Sequence, residues 1–151
     1  MKSSLQNLSA NARLLVPEKD INLRHSYYFL TPTRIDLISA SLKKYMIEQK
    51  PYLNIHYSVR DLAKDVQLPA YHLSAYINEE LGMNFNDFLN FFRVKLCTEF
   101  MQDHSKEHLN LKGLARACGF SNRNSLTSSF KKFTGLLPSH YKRINTVRKS
   151  K

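Results

Sequence analysis

The chain has 151 residues, enough for one ordinary domain or two small subdomains sharing a core. With 42% hydrophobic residues, including 9 Phe and 8 Tyr, it can build a packed core, and only 4 Gly and 5 Pro exclude a low-complexity or turn-rich β protein. A formal net charge of +11 points to polyanionic partners. No stretch approaches the ~18 apolar residues of a membrane span, and Met1 to Pro17 lacks the apolar region of a signal peptide. Cys97 and Cys118 fall in apolar periodic segments and read as small hydrophobes of a reducing compartment. The expectation is a cytoplasmic chain without membrane insertion.

In chain order, residues 1–31 are polar and weakly periodic, with Pro17 and a short Tyr27-Tyr28-Phe29-Leu30 cluster, and read as an N-terminal arm or linker. Residues 32–57 hold a first helix and a linker. Thr33 and Asp36 have the spacing of a capping box, Ile35, Ile38, Leu42 and Tyr45 form an i, i+3, i+7 stripe, and the helix ends before Pro51.

From residue 58 onward an internal repeat dominates. Ser58, Leu62, Ala63, Val66 and Leu68 match Asn110, Leu114, Ala115, Cys118 and Phe120 at an offset of 52 residues. Leu73, Ile77, Gly82, Phe85 and Phe88 then match Leu126, Phe130, Gly135, Pro138 and Tyr141 at an offset of 53, so the second turn is one residue longer. Each copy reads as helix, tight turn, helix and glycine stop. In the first (58–82), Ser58 and Asp61 make a capping box and Pro69 starts the second helix; in the second (110–135), Asn110 caps, Gly119 supplies the turn, and Ser121 or Asn122 caps the next helix. Between them, residues 84–101 carry Phe85, Phe88, Leu89, Phe92, Leu96 and Phe100 on one face and predict one connector helix. A last helix spans 138–145 and a basic tail 146–151. The predicted fold is all-α, about seven helices, with two helix-turn-helix subdomains joined by a long connector.

A short turn between two helices, the second facing solvent, is the arrangement that lays a recognition helix in the major groove. Two such helices on one connector would enter successive groove segments about 34 Å apart. Charge supports this reading unevenly. Met1 to Tyr57 holds 8 basic and 4 acidic residues and Ser58 to Leu109 holds 5 and 8, whereas Asn110 to Lys151 holds 10 basic residues and no acidic one. The last third therefore carries the electrostatic footprint of phosphate neutralisation.

At Gly119-Phe120-Ser121, Phe130-Lys131-Lys132-Phe133-Thr134-Gly135 and Pro138-Ser139-His140-Tyr141-Lys142-Arg143, the sequence resembles the second helix-turn-helix of the AraC/XylS family of transcription regulators. The likeness extends back through Leu114-Ala115 and Cys118-Gly119-Phe120. Asp61-Leu62-Ala63 through Leu73-Ser74 to Gly82 is similar to the family's more variable first unit, so 58–143 reads as the DNA-binding domain. The resemblance implies transcription control, usually alongside a separate sensing or dimerising domain, of which none is visible here. Three departures fall in the first unit: Pro69 replaces the usual Ser cap, Gln67 stands where a turn Gly is frequent, and Ala75 sits where many members carry a longer base-reading side chain.

Helical spacing turns Leu126, Phe130 and Phe133 inward and leaves Arg123, Asn124, Ser125, Thr127, Ser128, Lys131 and Lys132 as candidate contacts. Arg123 can address guanine O6 and N7, Asn124 adenine N6 and N7, and the hydroxyls bases or phosphates. On the first recognition helix the outward set is Tyr71, His72, Ser74, Ala75 and Asn78, beside the acidic pair Glu79-Glu80. Arg60, Lys64, Lys112, Lys142 and Arg143 are candidate phosphate contacts, and Arg148, Lys149 and Lys151 can add non-specific attraction. The plain alternative for each cation is a solvated face.

No Gly-rich phosphate loop, activated nucleophile or paired-acid motif is present, and His104 with His108 lacks the further ligands of a zinc pattern, so catalysis, cofactor and metal are not expected. The expected partner is double-stranded DNA. The alternative is a protein-interaction module whose acidic first unit docks RNA polymerase or a partner regulator, with dimerisation through regions absent here.

Overall fold

The computed structural model describes residues 31–149, with side chains as far as Asn145. The arm before Thr31 and Lys151 lie outside what is described, as do the side chains of the tail cations Arg148 and Lys149. Among the described residues the order is α1 (Pro32–Gln49), a 3-10 turn (Pro51–Leu53), α2 (Val59–Asp65), α3 (Ala70–Ala75) continued by a π-helical turn (Tyr76–Glu80), α4 (Phe85–Gln102), a second 3-10 turn (His104–Lys106), α5 (Leu111–Ala117), α6 (Arg123–Thr134) and α7 (Pro138–Lys149). These are seven α-helices, and among the described residues no helix is long and apolar enough to cross a membrane.

The described residues form two compact units, one of 31–50 with Tyr57–Phe88, the other of Pro51–His56 with Leu89 onward. In the first unit α1 buries Ile38, Leu42 and Met46, four residues apart and so on one helical face. Its cap differs from the expected Thr33 and Asp36. Thr31 accepts from the Arg34 N–H, because Pro32 has no N–H to offer and its fixed φ suits the first helical position. Tyr45 and Tyr57 both donate to Asp65 Oδ2, at 2.7 and 2.5 Å, which ties α1 to the end of α2. Burial and the Asp65 carboxylate push the Tyr57 phenol far above its ordinary value and keep it a donor.

The repeat survives in the hydrogen bonds. After α2, Val66, Gln67 and Leu68 donate to Leu62, Lys64 and Ala63; after α5, the residues 52 positions on, Cys118, Gly119 and Phe120, donate to Leu114, Arg116 and Ala115. Both turns need a left-handed residue, Gln67 at φ 54° and Gly119 at φ 85°. Gln67 is exposed, so its side chain contributes little, while its Cβ is strained in that region. Gln67→Gly is therefore expected to raise unfolding free energy by about 0.5–1 kcal/mol, the relieved strain less the entropy glycine adds to the unfolded chain. Urea denaturation checks it, and a loss of stability overturns this account of the turn.

The copies diverge in their second helix. α6 runs as a regular helix to Gly135 (φ 74°), but α3 widens at Tyr76, where Leu81 donates to the Tyr76 carbonyl and Met83 to that of Ile77, before Gly82 (φ 65°) stops it. The connector α4 is unbroken. Its buried residues include Val94 and Cys97 besides Phe88, Leu89 and Leu96. From Leu89 to Met101 the buried and half-buried positions cover more than half of the helix circumference, so the second unit surrounds this helix on more than one face.

Candidate nucleic-acid interface

In the second unit, Asn110 caps α5 by accepting from Gly113 N–H, and Asn122 caps α6 by accepting from Ser125 N–H, each at 2.9 Å. Leu126 and Phe130 are fully buried, Ser129 lies beside them, and Phe133 meets the Phe91 ring edge-on at 5.9 Å. This anchoring faces Arg123, Asn124, Ser128, Lys131 and Lys132 to solvent. Ser125 and Thr127 are half-buried, and both hydroxyls bond within the helix: Ser125 Oγ to Asn122 Oδ1 at 3.2 Å and Thr127 Oγ1 to the Arg123 carbonyl at 3.0 Å. Each keeps acceptor lone pairs.

Lys112 is exposed on α5 and lines a concavity of about 300 Å³ with Arg116, Ser121, Asn122 and Arg123. Arg116 and Ser121 escaped the sequence reading as site residues. Arg116 falls one helical turn after Lys112, and that i, i+4 spacing was the signal available. On α7, Arg143 is exposed, while Lys142 is half-buried with Nζ 3.3 Å from the Glu107 carbonyl oxygen.

The first unit is arranged differently. Arg60 and Lys64 are exposed on α2, and Tyr71, 59% accessible, and Asn78 are exposed on the second helix, with Ser74 half-buried. Two residues expected outward are buried: His72, 3% accessible, and Ala75, 6%. α3 is only six residues long and packs on α2, and its buried set His72, Leu73, Ala75, Tyr76 and Ile77 is broader than a two-residue stripe allows. Burial, and secondarily the nearby Arg34 charge, hold the His72 imidazole below its ordinary value, so it is neutral at pH 7 and offers phosphates no charge. Burial, then the Glu80 charge, pushes the Glu79 carboxyl up.

One further residue, missed by sequence reasoning, organises the second unit. Arg93 donates through Nε to the Tyr52 carbonyl (2.7 Å), through Nη2 to the Asn54 carbonyl (3.2 Å) and through Nη1 to Asn90 Oδ1 (3.0 Å), with its guanidinium 5.8 Å from the Phe120 ring centre. Tyr52 stacks on Phe92. Cys97 and Cys118 are free and fully buried, and the Cys118 thiol together with burial pushes the Cys97 thiol up. Among the described residues no group of three His, Cys, Asp or Glu side chains is placed to hold a metal ion, and His104 Nδ1 meets Glu107 Oε1 at 2.7 Å.

Two helix-turn-helix units on one connector helix, the second faced with cations and free of carboxylates from residue 110 on, define a DNA-binding module of the double helix-turn-helix class. Residues 62–144, more than half of the chain, match the family model described as a helix-turn-helix domain. The chain belongs to this family, in its AraC type, and so to DNA-binding transcription regulators. Among solved structures it is similar to a protein from Listeria innocua described as having unknown function (TM-score 0.57, 26% identity, 71% of this chain and 96% of that one). It is likewise similar to the C-terminal domain of AraT, a response regulator from Geobacillus stearothermophilus (0.56, 24%, 69% and 84%). A DNA-binding transcriptional dual regulator from Escherichia coli K-12 shares the fold (0.56, 15%, 67% and 86%). No curated protein matches the chain.

Proposed function

We propose that this chain binds double-stranded DNA sequence-specifically in the cytoplasm, and that α6 is its principal reader. The observation that supports this most strongly is the exposed row Arg123, Asn124, Ser128 and Lys131 on a rigidly anchored helix in a segment without acidic residues. Arg123 and Asn124 are the base-reading side chains, the Ser125, Thr127 and Ser128 hydroxyls assist them, and Lys131, Lys132, Lys112, Lys142 and Arg143 neutralise phosphates. With His72 and Ala75 buried, α3 retains Tyr71, Ser74 and Asn78 as groove contacts, flanked by Arg60 and Lys64 on α2.

A second reading concerns the first unit alone. Tyr71 stands exposed on the same short helix as the Glu79-Glu80 pair, a surface suited to docking RNA polymerase or a partner regulator.

Binding is measured with a duplex selected from a random pool, in competition with random duplex at fixed salt; a large sequence-dependent difference is expected. Arg123→Ala should cost roughly 1–3 kcal/mol and relax preference at one base pair, as loss of a bidentate guanine contact does. Ser74→Ala should cost less, since a half-buried hydroxyl makes at most one such contact. The reverse order would make the first unit the main reader, and equal affinity for every duplex would remove specific recognition altogether.

A further inference from the structure

We infer that the second unit contains a ligand site for an amphipathic carboxylate, in the hollow between the end of α4, the beginning of α5 and the beginning of α7. The hollow measures about 470 Å³, within the roughly 300–1,000 Å³ of small-molecule sites. Its floor is apolar: Leu114 is buried, and Phe100 and Leu111 are half-buried and lie open to it. Lys106, Lys142 and Arg143 stand around that floor.

Two of these cations are held in place. Lys106 Nζ lies 5.6 Å from the centre of the Phe100 ring, and Lys142 Nζ lies 3.3 Å from the Glu107 carbonyl oxygen. The only carboxylate of the lining, Glu107, is engaged by His104 Nδ1 at 2.7 Å, so three cations face one acid and the rim stays positive. An apolar floor beneath a cationic rim complements a molecule with an apolar body and one anionic head. A nucleic-acid phosphate satisfies the rim but leaves the floor against a hydrated sugar. A neutral apolar molecule covers the floor but leaves the ammonium groups without a counter-charge. The hollow's size selects a small molecule over a helix, which needs an extended groove.

Because Lys142 and Arg143 are also assigned to phosphates, the carboxylate and duplex DNA compete. This consequence, unlike the site itself, rests on the DNA-binding reading above.

The test is a titration of the full chain with decanoate below its micelle concentration, without DNA, followed by NMR of the leucine methyl groups. Decanol and acetate, which lack the head charge and the chain respectively, are the controls. Expected are saturable shifts centred on Leu109, Leu111 and Leu114 with a Kd below about 1 mM. Removing the head partners (Lys142→Gln with Arg143→Gln) or the floor (Leu111→Gln) should weaken binding about ten-fold or more, and Lys95→Gln, on an exposed position of α4 away from the hollow, should not. Absence of saturable shifts, or decanol binding as well as decanoate and indifferent to these substitutions, overturns the site. A second titration, in which decanoate displaces bound duplex, tests the competition alone, so a failure of duplex binding leaves the outcome of the first titration unchanged.

Discussion

Replacing Gly119 by alanine is expected to destabilise the second unit by roughly 3–5 kcal/mol, the range of overpacked and conformationally strained sites. An added Cβ would lie 2.5 Å from the Tyr52 carbonyl oxygen and 2.8 Å from Leu53 Cα, both backbone atoms that cannot swing aside, at a φ of 85° that L side chains rarely adopt. Gly135 is the internal control. Its φ is 74°, but nothing lies within 4 Å of its added Cβ, so Gly135→Ala should cost only the left-handed penalty, about 1 kcal/mol. Urea denaturation of both variants separates steric clash from backbone strain. Equal losses would mean that the approach of the Tyr52-Leu53 backbone is not what requires glycine at 119.

Truncating Arg93 is the other large effect, expected at about 2–4 kcal/mol. The cost exceeds that of a single neutral hydrogen bond because Arg93→Ala removes charged donors from the Tyr52 and Asn54 carbonyls and from Asn90 in one step, together with the cation over Phe120. Burial lowers the guanidinium from its ordinary value, yet arginine remains charged at any working pH, so the loss should be independent of pH between about 5 and 9. Arg93→Lys should recover no more than about half, since one ammonium cannot reproduce the planar fork that reaches two carbonyls. Gly119 and Arg93 grip the same short segment, so Gly119→Ala with Arg93→Ala should cost less than the sum of the two. Additivity within about 0.5 kcal/mol would show that they act independently. A lysine variant as stable as wild type would reduce the Arg93 network to a surface contact.

The seven-helix, strand-free architecture of the described residues was legible because it rests on local periodicities. The 52- and 53-residue offsets, the connector stripe, the Ser58–Asp61 box and the glycines at 82, 119 and 135 each express a helical spacing or a backbone requirement that a few neighbouring residues impose. Small errors arose where two local signals competed. Thr33 with Asp36 has capping-box spacing, yet Thr31 caps, since Pro32 favours the first helical position over any other in the helix.

Which side of a short helix is buried proved harder to read. Over α6, 12 residues long, the separation of Leu126 and Phe130 from Arg123, Asn124 and Lys131 is clean, because three full turns let the four-residue spacing of the apolar side chains define one buried face. Over α3 the same rule turned His72 and Ala75 outward, while the packed unit, with the widened turn at Tyr76, buries them. Arg93 and the hollow beside Phe100 gave no local signal at all. A cation at position 93 of an amphipathic helix reads as solvated, and Phe100, Leu111 and Lys142 are too far apart in sequence to suggest one cavity.

What the amino-acid order determined by itself, then, is whatever depends on residues within a few positions of one another: helix starts and stops, the repeated turn, the charge of each segment and the family motifs. Only the tertiary structure decided which polar residues are buried, which carbonyls Arg93 satisfies and why Gly119 tolerates no side chain. Those outcomes depend on atoms brought together from positions 27 to 67 residues apart, such as Arg93 with Phe120 and Tyr52 with Gly119, and no local preference specifies such an encounter.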